Sequence, residues 1–227
     1  MATNAYSPVR AAGSATSSSQ PSRPLALAAL CVIALALIWS IAQLVPTVHL
    51  HDALALRDFT SLSRPRVDSA AKFLVRLLNP GLFIIWGVAV VAVALGRARP
   101  RLALAAAAVM TFAPLTSEVL KPLLARPHAE VGDVHVGAAS WPSGHSTAAL
   151  ALVLSAVLVS SRGLRPAILA IGALFAAAVG CALLILSLHM PSDVLGGYLV
   201  AALWTALAVA ALRAAERRWP SQRPQGT

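Results

Sequence analysis

The length of the apolar runs constrains this chain more than any other feature. Six stretches carry almost no charge: Leu25–Val45, Leu77–Leu95, Leu102–Leu120, Thr147–Ser160, Pro166–Leu188 and Val194–Leu212. Wound as a helix, an apolar run of about 18 residues or more is long enough to cross the hydrocarbon layer of a bilayer. Of 227 residues, 58% are hydrophobic and 11% charged. That is about half the charge of an average soluble domain. The expected fold class is therefore all-α, a six-span transmembrane helix bundle. The fourth run is short and polar at its start, so its helix is expected to begin at Ser143, with that serine as the cap.

The flanks differ in composition. Residues 1–23 are rich in Ser, Ala, Thr and Pro and cannot bury enough apolar area to fold, which predicts a disordered tail. Residues 24–215 form the membrane domain, and 216–227 a second tail. A cleaved signal peptide is the rival reading of the first run. That run is about 21 residues long and starts well downstream of Met1, which favours an uncleaved span. Cys31 and Cys181 both lie inside runs and read as small core residues rather than a bridge or metal ligands.

Charge is distributed unevenly about these runs. Alternate connections and the two flanks hold Arg10, Arg23, Arg97, Arg99, Arg101, Arg162, Arg165, Arg213, Arg217, Arg218 and Arg223, against the single acid Glu216. The other connections hold Arg57, Arg64, Arg66, Lys72, Arg76, Lys121 and Arg126. Seven acids balance them: Asp52, Asp58, Asp68, Glu118, Glu130, Asp133 and Asp193. The positive-inside rule then predicts a multi-pass plasma-membrane protein with both termini cytoplasmic and all six histidines on the extracytoplasmic face. The net charge of +10 reads as topology rather than nucleic-acid binding, for which no recognition motif is present. In the long outer connection, Val67, Ala70, Ala71, Leu74, Leu77 and Leu78 recur at helical spacing, with Asp68 and Lys72 paired on the polar side. A short amphipathic helix on the outer membrane surface and a plain packing helix both fit this pattern.

Chemistry-bearing residues gather on that outer side. Lys121 ends the third run; it fits an interfacial anchor as well as a phosphate ligand, and Glu118 one turn earlier is placed to pair with it. Arg126 follows in the loop. Pro142-Ser143-Gly144-His145 precedes an apolar helix, whose N-terminal amides make a ready anion site. Gly144 lets the backbone approach a phosphate, Ser143 offers a hydroxyl, and His145 can donate a proton. His189 precedes Asp193 by four residues, the base–orienter spacing that leaves one imidazole nitrogen free to attack. Taken singly, each also fits a structural role: a serine cap, an interfacial histidine, a helix-terminal aspartate. Ionisable groups at the edges of spans are costly, and three connections on one face supply complementary parts.

Together these residues resemble the type 2 phosphatidic acid phosphatase family, whose motifs are K-x6-R-P, P-S-G-H and S-R-x5-H-x3-D. The resemblance covers roughly Leu77–Leu212. The second motif matches fully at Pro142–His145, and the end of the third matches at His189 and Asp193. In the first motif, counting from Lys121 places the arginine at His128, while Arg126-Pro127 stands two residues early. In the third, Ala182 and Leu183 stand where the family has Ser-Arg. A charge-assisted hydrogen bond is worth about 1.5–3 kcal/mol, so two losses amount to about 3–6 kcal/mol. Acting wholly on the transition state, that is about 10²–10⁴ in rate.

The resemblance implies an integral membrane phosphatase of a lipid phosphate or isoprenoid diphosphate, acting through a phosphohistidine and without a cofactor. It implies His189 as nucleophile, Asp193 as its orienter and His145 as the acid and base. Lys121, Arg126, His128, Ser143 and Gly144 would hold the phosphoryl oxygens. No clustered carboxylate set suits magnesium, and the histidine spacing fits no familiar zinc pattern. The expected partners are a lipid substrate and the bilayer. A lipid phosphotransferase, a lipid-binding pseudoenzyme and a transporter are the rivals. A transporter would need charges deep within the spans, whereas here they gather at one edge.

Overall fold

The structure, a computed structural model, describes residues 22–127 and 136–219. Most of the two expected tails lies outside the described residues, as do His128, Glu130, Asp133 and His135, while residues 216–218 of the second continue a helix. Among the described residues the regular elements are helices: α1 (Ser22–Leu44), α2 (Pro46–Thr60), α3 (Pro65–Arg76), α4 (Pro80–Gly96), α5 (Pro100–Leu123), α6 (Gly144–Val159), α7 (Arg165–Ile185) and α8 (Pro191–Arg218). All but α1 and α6 carry proline at their first or second residue. Proline suits that position because its φ is already helical and its missing N–H would have had no partner there.

Among the described residues, four helices are long and apolar enough to cross a membrane: α1 from Arg23, α5, α7 and α8. α3 and α4 pass the same test as a pair, but the pair bends by 55°. The expected second span therefore does not run straight from Leu77. Residues 77–79 form the bend, and the helix restarts at Pro80. α6, with 16 residues, is shorter than a span usually is. It packs against α4, α5, α7 and α8, and eight of its residues are buried. Protein rather than lipid meets most of its length, so it is not held to the bilayer thickness that a lipid-facing helix must match. α8 continues through Arg218, beyond the expected end at Leu212.

The long connection after α1 holds two helices. α3 takes up Val67, Ala70, Ala71 and Leu74 of the residues at helical spacing, while Leu77 and Leu78 fall in the bend. α2 was not expected; it buries Ala53 and Leu56 in a cluster with Leu78, Ala148, Val179, Leu183 and Val194. A second cluster joins Leu35 of α1 to Val109, Trp141, Ala151 and Val200. Between them these clusters fix the central helices α5, α6 and α8.

The turns after α4 and α7 share one device. Leu188 N–H bonds Leu183 C=O (2.9 Å) and Ser187 N–H bonds Leu184 C=O (3.0 Å). Arg99 N–H bonds Ala94 C=O (3.0 Å) and Ala98 N–H bonds Leu95 C=O (2.8 Å). Both are Schellman closures, and both put a non-glycine residue at positive φ: Ser187 and Ala98, each at 53°. One of these turns delivers His189 immediately after α7.

Opposite ends of the bundle carry different charge. Arg97 donates to Val159 C=O (3.2 Å), and Arg101 pairs with Glu216 (2.9 Å). Arg23 and Arg213 line one cavity. The arginine-rich connections thus share one end, and the histidine-bearing connections the other. Because a left-handed backbone costs an L-residue about 1–2 kcal/mol, Ala98→Gly is expected to stabilise the protein by about 0.5–1 kcal/mol and Ala98→Val to destabilise it. Thermal unfolding in detergent measures both.

Candidate active site

Two helix N-termini converge at the histidine-bearing end. α6 starts at Gly144 with Ser143 as its cap, as the sequence predicted; Ser146 N–H donates to Ser143 Oγ at 3.4 Å. α8 starts at Pro191, with Asp193 in its first turn. Ser143 N–H donates to Asp193 C=O (2.9 Å), and Ser146 Oγ donates to Val194 C=O (3.1 Å). Thr147 Oγ1 donates to Ser143 C=O and lies 2.8 Å from Ser117 Oγ of α5, so three helices are joined by buried hydroxyls. Each N-terminus carries about half a positive charge, and bringing two together makes a strong local attraction for anions.

Gly197 permits this approach. A Cβ there would run into Ser143 C=O and the hydroxyls of Ser146 and Thr147. Gly196 plays the same part against the indole of Trp141, within 2.9 Å of where its Cβ would stand. Neither glycine needs an unusual φ; both are there for space.

His189 and Asp193 meet as their spacing predicted. Nδ1 of His189 lies 3.3 Å from Oδ2 of Asp193, which also accepts Met190 N–H at 2.9 Å. Asp193 is fully buried, and His189 is 8% exposed. The carboxylate thus caps its own helix while holding one imidazole nitrogen, leaving Nε2 as the free one. Asp52 of α2 fastens the same turn, accepting Ser192 N–H (3.1 Å) and Ser192 Oγ–H (2.6 Å). Sequence reasoning missed this clamp, because nothing local to Asp52 marks a partner 140 residues away.

His145 lies within electrostatic reach of His189, Lys121 and Glu118. A cavity of about 250 Å³ is lined by Glu118, Lys121, Gly144 and His145, with Leu78, Pro80 and Phe83 of the α3–α4 bend on its apolar side. Lys121 donates to Glu118 Oε1 at 2.6 Å. The structure therefore brings together Lys121, Ser143, Gly144, His145, His189 and Asp193. Arg126 is placed otherwise: its guanidinium lies over Trp39 of α1 (5.5 Å), and its amide donates to Ala138 C=O (3.0 Å). Leu183, where the resemblance calls for arginine, is wholly buried against the cluster containing Ala53 and Leu56.

Residues 73–217 match the sequence family described as the PAP2 superfamily. The chain belongs to the PAP2 superfamily. The match takes in α4 to α7 and nearly all of α8, and with them Lys121, Ser143, Gly144, His145, His189 and Asp193. Members of this family are phosphatases, and the apolar helices make this one a multi-pass membrane protein. The fold is similar to the crystal structure of the first transmembrane PAP2-type phosphatidylglycerolphosphate phosphatase from Bacillus subtilis, with a TM-score of 0.69 and 20% identity. The alignment covers 88% of this chain and 98% of that one. No curated protein sequence matches the chain.

Gly197→Ala is expected to cost at least about 2–3 kcal/mol, since the new methyl meets backbone as well as side chains. Gly81→Ala, with open space around it, serves as the neutral comparison in the same unfolding assay. Asp52→Ala is expected to cost about 1–3 kcal/mol through the two hydrogen bonds lost at Ser192.

Proposed function

We propose that this PAP2 member hydrolyses a lipid phosphate or isoprenoid diphosphate through a covalent phosphohistidine on His189. The observation that carries the reading is the buried His189–Asp193 pair beside the His145-bearing N-terminus of α6. Asp193 holds Nδ1, so the Nε2 lone pair attacks phosphorus and the bond from phosphorus to the leaving oxygen breaks. His145 gives that oxygen its proton. Water then attacks the phosphohistidine, His145 takes the proton, and inorganic phosphate leaves with His189 restored. The buried carboxylate stabilises the imidazolium while the intermediate lasts. Lys121 and the first-turn amides of α6 face the phosphoryl oxygens, where negative charge builds up.

The charge asymmetry supports six crossings, with α3–α4 and α6 among them, cytoplasmic termini and an extracytoplasmic site. The apolar cavity wall at the α3–α4 bend suits a substrate whose tail stays in the bilayer. Phosphatidylglycerol phosphate, phosphatidic acid and isoprenoid diphosphates all meet that requirement, and the first is the substrate named for the structural relative. One observation favours a second reading. With Leu183 buried as a core residue and Lys121 paired to Glu118, a catalytically weak lipid-binding member also fits.

Purified protein in detergent, with chelator present, should release phosphate from one member of a panel of diacylglycerol phosphates and isoprenoid mono- and diphosphates. His189→Ala is expected to reduce this by about 10³-fold or more. Undiminished release by that variant would refute the mechanism, and no release from any substrate would favour the binding reading. His145→Ala should spare p-nitrophenyl phosphate relative to the lipid, because a good leaving group needs little protonation. Arg126→Ala and His128→Ala, measured side by side, decide which residue meets the phosphate. Since Arg126 is engaged by Trp39, its removal is expected to cost less than about tenfold in kcat/KM.

A further inference from the structure

The mechanism leaves one charged group in the cavity unused. Glu118 does more than pair with Lys121. Its Oε1 stands 2.7 Å from where a Cβ on Gly144 would be, and Lys121 Nζ stands 3.5 Å from the same point. The carboxylate therefore lies beside the first residue of α6, against backbone that lacks a side chain, and the same oxygen is 2.6 Å from the lysine. It also lies within electrostatic reach of His145. A carboxylate offers two oxygens to the same donors that would take two oxygens of a phosphoryl group.

We infer that Glu118 is a place-holding anion and a specificity-determining residue: its carboxylate occupies the phosphoryl subsite beside Gly144 and competes with the incoming phosphate for Lys121. The inference rests on the proposed phosphatase site. Substrate binding must turn the Glu118 side chain away. That motion is open to it, since the side chain is 60% exposed while that of Lys121 is 23% exposed. Once displaced, the carboxylate remains at the cavity wall and repels whatever anion has replaced it. The repulsion grows with the charge of the ligand, so a diphosphate is disfavoured more than a monophosphate. The site is thereby tuned toward the less charged headgroup, and the cation is kept paired whenever no phosphate is present.

The test uses full-length protein in detergent titrated directly with inorganic phosphate and with pyrophosphate. Glu118→Gln keeps the size of the side chain and removes its charge; Glu118→Ala removes both. Each variant is expected to bind inorganic phosphate about three- to fivefold more tightly than the wild type, and pyrophosphate by a larger factor. Weaker binding in both variants would show that Glu118 positions Lys121 for the ligand, which overturns the inference. Unchanged affinity, an equal gain for both anions, or no binding by any form would overturn it too. Phosphate release, followed in parallel, keeps the two ideas apart. Release by the wild type with no change in the titrations sinks the role of Glu118 alone. Tighter anion binding in the variants with no release from any substrate sinks the hydrolase and leaves the anion subsite standing.

Discussion

The site depends on a seam between two helix ends. Ser143 N–H reaches Asp193 C=O, Ser146 Oγ reaches Val194 C=O, and Gly197 leaves the room that both require. Without that seam the PSGH turn and the His189 turn would be two unrelated stretches of chain 44 residues apart. With it, two positively polarised helix ends are held side by side. Oδ2 of the buried Asp193 carboxylate then takes both its own helix amide and His189. Serine and threonine recur in the seam because a short hydroxyl can bond backbone across a helix contact while keeping the helices close.

What surrounds the seam explains how it is held. Asp52 fastens the first turn of α8 from outside, and the apolar face of α2 covers α7. Position 183 has been drawn into that packing. A leucine there contributes to the cluster with Ala53 and Leu56, where an arginine would need a partner for its charge. The departure from the family motif thus reads as an exchange of a phosphate contact for core. Of the other expected phosphate ligands, Lys121 is shared with Glu118, and Arg126 lies on the face of Trp39.

Several features were legible before any coordinates. Apolar run lengths marked α1, α5, α7 and α8, and Ser143 was readable as a cap. The i,i+4 spacing of His189 and Asp193 announced their pairing. Proline marks helix starts at Pro46, Pro65, Pro80 and Pro100, and Val45-Pro46 was the available signal for the missed helix α2. What misled was run length itself. Leu77 and Leu78 are as apolar as the run that follows, yet with Asn79 they form the 55° bend; Asn79-Pro80 was the local signal of the break, and hydrophobicity, which reports burial or lipid contact, carries no information on direction.

By itself, the sequence determined a helical membrane protein, the separation of its charges between two ends, and the residue types available for phosphoryl chemistry. These follow from local composition and spacing, which the chain carries wherever it goes. Only the tertiary structure decided which of those residues meet. It joined α6 to α8 through Gly197, set Asp52 on Ser192, sent Arg126 to Trp39 and laid Glu118 over Gly144. Such contacts link residues far apart in sequence, and they are fixed by how helices fit against one another rather than by any pattern within a helix.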